Sequence, residues 1–239
     1  MEKRSSANSN APKNTSEDDR SNTVHEIRNA SQHLNSAGTE LASELSKFEN
    51  LDAQRRQGID FEASGILSDV NKAKKSLDSA SKTAEGEQQQ TIDKLQNLSE
   101  FERSMALLMD SFAEAYTGFV TGYSQMQSGK FNDSIDRLES AQAKIDEVRR
   151  RFNTTKANYD AMSDETLKKI GMENESKSLG ELNKSVKAFD IIIDGVYYWT
   201  KGSQDLKRGK QNYQSGNYKQ ASQDYADART HFSKAVTIF

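Results

Sequence analysis

Apolar residues recur along almost the whole chain at three- and four-residue steps, the period of one face of an α-helix. From Ser21 or Asn22, Val24, Ile27, Leu34, Leu41, Leu45 and Phe48 mark a helix running to about Ser64, with Gly65 as its expected C-terminal stop. A second helix carries Ile66, Val70, Ala73 and Leu77 and fades between Thr83 and Gln90. A third, from about Thr91 to Ser128, bears Met105, Met109, Phe112, Tyr116, Phe119, Tyr123 and Met126. Their alternating four- and three-residue steps make a coiled-coil type of seam. Gly129 ends it, and a fourth helix follows with Phe131, Ile135, Leu138, Ile145, Val148 and Phe152. Ser163-Asp164-Glu165 reads as the N-terminal cap of a short helix ending at Gly171. The fifth helix, about Lys177 to Ser215, carries Leu182, Val186, Phe189, Ile192, Val196, Trp199 and Leu206, and the sixth spans about Asn217 to Ile238.

This pattern predicts an all-α protein. The single proline, Pro12, lies in a Ser-, Asn- and charge-rich stretch, residues 1–22, that reads as a disordered polar tail. Everything after it is free of the residue that breaks helices, at about 3 kcal/mol. Hydrophobic residues make up only 33% of the chain, which implies narrow apolar stripes on long helices and a thin core.

The stripes repeat. Leu41, Met105 and Ile192 are separated by 64 and 87 residues, and the same offsets align Leu45, Met109 and Val196, then Phe48, Phe112 and Trp199. Further on they align Gly58, Gly122 and Gly209, then Gly65, Gly129 and Gly216. In the second helices Phe131, Ser134, Leu138 and Ala141 pair with Tyr218, Ala221, Tyr225 and Ala228. The expected architecture is three helix-turn-helix hairpins over about 23–83, 91–160 and 177–239. They form either an elongated bundle or a short stack.

Glycine inside a helix costs roughly 0.8–1 kcal/mol against alanine, so a repeated glycine implies a repeated return. Gly195, Gly202, Gly209 and Gly216 fall every seven residues, and Ala221, Ala228 and Ala235 make a matching small stripe on the next helix. Gly58, Gly122, Gly195, Gly202 and Gly209 are therefore expected at close helix–helix contacts, with Gly65, Gly129 and Gly216 in turns. Gly209, Gly216, Tyr218, Ala221, Tyr225 and Ala228 resemble the spacing of a tetratricopeptide repeat. The middle copy, Gly122, Gly129, Phe131, Ser134, Leu138 and Ala141, is similar. The resemblance implies helical hairpins whose first glycine faces small residues of the second helix and whose second glycine sits in the turn. The 64- and 87-residue periods set the chain apart from a standard array, whose period is about 34.

Charge and chemistry narrow the function. With 33 basic against 36 acidic residues the net charge is -3 and the signs are interspersed, unlike a general nucleic-acid binder. No run reaches the ~18 apolar residues of a membrane span; Ala188 to Trp199 contains Asp190 and Asp194 and reads as a buried segment. The absence of cysteine excludes disulfides and thiol chemistry, and the N-terminus lacks a secretory apolar region. His25, His33 and His231 form no metal-binding spacing, and no phosphate-binding loop or nucleophile elbow occurs. The pairs Asp133 with Asp136 and Asp224 with Asp227 read as exposed helix faces, and Arg149-Arg150-Arg151 as a basic helix end. Seven N-x-S/T sequons exceed the about three expected by composition, a pattern shared by Ser- and Asn-rich chains and extracellular glycoproteins.

No catalytic, cofactor or metal site is expected. Tyr197, Tyr198, Tyr213, Tyr218 and Tyr225 exceed what a thin core needs and are candidate partner contacts. The leading expectation is a non-enzymatic scaffold for a protein partner. The alternative is a self-associating structural protein, at the cell envelope in one version, pairing through the Met105–Met126 seam.

Overall fold

The computed structural model describes residues 63–82, 84–169, 172–173 and 175–239. These residues are helical almost throughout, and no strand occurs among them. The helices are α1 (Ser64–Ser81), α2 (Glu87–Gln127), α3 (Phe131–Asp160), α4 (Asp164–Lys169), α5 (Glu175–Gln214) and α6 (Tyr218–Ile238). The predicted tail, the first predicted helix, Gly58, His25 and His33 lie outside the described residues.

The helices pack in chain order, each against the next long one: α1 on α2, α2 on α3, α3 on α5 and α5 on α6. α1 docks Ile66 and Val70 around Ala106 of α2. The main core is built chiefly by three helices, Leu108, Phe112, Tyr116 and Phe119 of α2, Leu138, Ile145 and Val148 of α3, and Val186, Phe189 and Ile193 of α5, with Ala73 of α1 and Leu167 of α4 joining it. Phe189 is the plug. Its ring lies 5.5 Å from that of Phe112, 6.1 Å from Tyr116 and 5.4 Å from Phe119, the edge and offset contacts aromatic rings favour. The Met105–Met126 seam is thus consumed within the chain, with Met109, Phe112, Tyr116 and Phe119 buried.

Two turns are built alike. In the first, Gly129 N–H donates to Met126 O (2.9 Å) and Lys130 N–H to Gln125 O (2.9 Å); in the second, Gly216 donates to Tyr213 O (3.1 Å) and Asn217 to Asn212 O (2.8 Å). Both are Schellman closures, and the left-handed residues are Gly129 (φ 72°) and Gly216 (φ 78°), where a side chain would be strained. Every partner in the second turn lies 87 residues after its counterpart in the first.

Three expectations are corrected. Gly65 is the second residue of α1 and not a turn, because the apolar stripe begins at once with Ile66 and Leu67 N–H already bonds Ala63 O at 2.9 Å. The Arg149–Arg151 triplet is not a helix end: α3 continues through buried Phe152, Thr155 and Tyr159 to Asp160. Arg149 instead pairs with Asp146 and Asp190, and Arg151 with Glu147. α2 begins at Glu87, before the predicted Thr91, directly after Gly86 at φ 58°.

Candidate functional site

α6 buries no large apolar side chain; its buried residues are Ala221, Asp224, Ala228 and Ala235. Its aromatic residues stand at the edge of the contact with α5, every seven residues: Tyr218, Tyr225, Phe232 and Phe239. The glycines of α5 receive them. A Cβ on Gly202 would lie 2.8 Å from Cδ1 of Phe232, and one on Gly209 would lie 2.8 Å from Cδ1 of Tyr225. One on Gly195 would overlap the Phe239 ring. The expected match of glycine to alanine is therefore replaced by glycine to ring. Antiparallel helices with seven-residue stripes bring 209, 202 and 195 level with 225, 232 and 239.

The rings do not end up inside. Tyr218 is 64% exposed, Phe239 69% and Tyr225 39%. Beside them on α5 stand Trp199, Leu206 and Tyr213, also seven apart and about half exposed. The Trp199 ring meets Phe232 at 5.1 Å and Tyr213 meets Tyr218 at 5.4 Å. The result is a continuous apolar groove along one side of the hairpin. Trp199 falls at the end of the segment Ala188 to Trp199 that the sequence reads as buried, and the structure corrects this: Trp199 is about half exposed. Among the five predicted tyrosine contacts, Tyr213, Tyr218 and Tyr225 line this groove. Tyr197 and Tyr198 do not belong to the exposed set. The Tyr197 hydroxyl donates to Glu139 at 2.8 Å, and burial raises its pKa, while Tyr198 stacks on His231.

The same positions in α2–α3 are covered. Shifted by 87 residues, Trp199, Leu206, Tyr225 and Phe232 correspond to Phe112, Phe119, Leu138 and Ile145, all buried, with Phe189 of α5 seated among the rings. The local contacts match too. A Cβ on Gly122 would meet Arg137 and Leu138, and one on Gly209 meets Asp224 and Tyr225, the equivalent pair. One groove is filled by the next helix of the chain; its counterpart is open among the described residues.

The opposite side of the α5–α6 contact is polar. Asp205 and Asp224 are both buried. Arg208 reaches Asp205 at 2.6 Å and Asp224 at 3.7 Å; His231 Nδ1 lies 2.7 Å from Asp205. Asn212 donates to Asp224 at 2.7 Å and Gln220 at 3.2 Å, and these bonds, Asn212 first, with the Arg208 charge, hold the Asp224 carboxyl below its ordinary value. Asp224 is thus not on an exposed face, as the Asp224/Asp227 spacing suggested. The sequence signal was the Asp205/Arg208 pair one turn before Gly209, which only the helix register brings to Asp224.

For chemistry the described residues offer little convergence. A shallow depression of about 800 Å³ along α6 is lined by Tyr198, Ala226, Arg229, Thr230, Ser233, Lys234, Thr237 and Ile238, with no carboxylate or imidazole to form an acid–base pair. Among the described residues no three His, Asp or Glu side chains could hold a metal ion together, and no helix is long and apolar enough to cross a membrane. No protein-family model matches the chain, and no curated protein or solved structure does either.

Proposed function

We propose that this chain is a non-enzymatic helical-repeat protein that binds a protein partner along the open groove of its last hairpin. In this reading α2–α3 and α5–α6 are two of three tetratricopeptide-like hairpins in a short stack, and each groove is made to receive the next helical layer. One observation carries it: Trp199, Leu206, Tyr213 and Tyr225 stand exposed at positions whose counterparts 87 residues earlier, Phe112, Phe119, Met126 and Leu138, are buried or packed on the core. Large contiguous apolar surface on a folded chain marks an interaction site, and Trp and Tyr are the residues that anchor one.

Self-association is the second reading, favoured by the strict seven-residue spacing of both walls. It would use this groove, since Met109, Phe112, Tyr116 and Phe119 of the seam are buried and Met105, Tyr123 and Met126 pack against the same core. The test compares the full-length chain with its Leu206→Asp variant. The expected result is that both have the same far-UV circular dichroism and only the first retains a defined partner in affinity capture. Identical capture by the two proteins removes the reading.

A further inference from the structure

The filled groove shows how its occupant is held at the rim. Gln142 of α3 donates to Asp194 of α5 at 2.5 Å, and Asn132 contacts Gln204 of α5. Shifted by 87 residues, Gln142 becomes Arg229 and Asn132 becomes Lys219. Two further α3 positions hold α5, Arg149 on Asp190 and Glu139 on the Tyr197 hydroxyl, and these become Val236 and Ala226, so four rim positions with no net charge in the filled groove carry two cations and no anion in the open one. Both are exposed, and neither forms an ion pair among the described residues. They are ten residues apart on α6, as are Asp194 and Gln204 on α5.

The wider charge distribution runs the same way. From Gly195 to Phe239 the chain has seven Lys or Arg and three Asp, and two of those, Asp205 and Asp224, are buried. That end carries +4, and the remaining 194 residues carry -7. A basic-rimmed apolar groove attracts an acidic partner and repels a basic one. The floor also differs: Ser203 replaces Tyr116, one of the three rings around Phe189, which leaves room for a large apolar knob.

Resting on the reading of this groove as a partner site, we infer that it takes an acidic amphipathic helix from another protein. That helix lies as the first half of α5 lies on α2–α3, with a large apolar residue between Trp199 and Leu206 and carboxylates on Arg229 and Lys219. A second copy of this chain is disfavoured, because pairing two such grooves would bring their basic rims together. A helix is favoured over an anionic membrane because both walls keep a seven-residue spacing.

The test titrates full-length protein into a dye-labelled synthetic helix copying residues 176–205 with Gln204→Glu, followed by fluorescence anisotropy. Binding is expected, weakened about tenfold or more by Lys219→Glu/Arg229→Glu and likewise by Leu206→Asp. A basic counterpart, with lysine at 190, 194 and 204, binds the Lys219→Glu/Arg229→Glu protein better than the unmodified one. If both helices bind equally and Leu206→Asp abolishes both, the groove is a partner site and the acidic assignment is wrong. If neither helix binds, the inference fails. Sedimentation then separates the remaining causes: a dimer that Leu206→Asp dissociates identifies a second copy. Binding to phosphatidylserine vesicles in place of the helix identifies a membrane.

Discussion

The ring of Phe232 lies across Gly202, so that a single added methyl at Gly202 would come 2.8 Å from Cδ1. In the equivalent place 87 residues earlier stand Ala115 and Ile145. The larger wall residue is matched by the smaller floor residue. Gly202→Ala is therefore expected to cost about 1 kcal/mol net, overpacking of roughly 1–3 kcal/mol outweighing a helix-propensity gain of about 1 kcal/mol. In a Phe232→Ala background the same substitution should stabilise by about 1 kcal/mol, and urea unfolding of the four proteins reads the reversal. Gly180→Ala, where nothing lies within 4 Å, is the control and should stabilise in either background.

Phe189 and Trp199 sit at opposite ends of the burial scale on one helix, at 2% and 47% exposure. Phe189→Ala should cost about 3–5 kcal/mol, since it empties the site between Phe112, Tyr116 and Phe119. Trp199→Ala should cost well under half of that. Denaturant midpoints measured at constant slope decide it; equal costs would mean that the α5–α6 groove is filled in solution.

Gly129 and Gly216 hold the same left-handed conformation in the same hydrogen-bonded turn. Alanine at either position should cost about 1–2 kcal/mol, with the two values close to one another. Asparagine should recover part of each loss. A large difference between the two sites in thermal unfolding would show that the turns are not equivalent.

In the folded state the Asp224 carboxyl is held below its ordinary pKa, chiefly by the hydrogen bond from Asn212. A depressed carboxyl stabilises the fold above the unfolded-state pKa, and that contribution is lost as pH falls through the folded-state value. Asp224→Asn should therefore be less stable than the parent at pH 7, and the gap in melting temperature should narrow below about pH 4. A gap independent of pH would assign the loss to packing.

Helix positions were legible because the 3.6-residue stripe is a local property: Ile66, Val70, Ala73 and Leu77 mark α1 without reference to any other part of the chain. The turns at Gly129 and Gly216 were legible for the same reason, since a left-handed residue after a helix is a local demand. Gly65 misled because a helical glycine at the start of a stripe and a capping glycine at the end of one look alike when the two stripes adjoin.

The exposure of the stripe residues was not legible. Phe112 and Trp199 occupy equivalent places in similar stripes; one is buried because α5 packs on α2–α3, the other is about half exposed because no described helix packs on that face of α5–α6. The seven-residue ladders of glycine on α5 and aromatic residues on α6 are written in the sequence, as are Lys219 and Arg229. That the rings rest on the glycines, and that Asp205, Arg208, Asp224 and His231 meet on the other side, was decided by the register of two antiparallel helices. The sequence by itself determined which faces are apolar, because periodicity depends only on near neighbours. Only the tertiary structure decided which of those faces are covered, because burial depends on what else packs there.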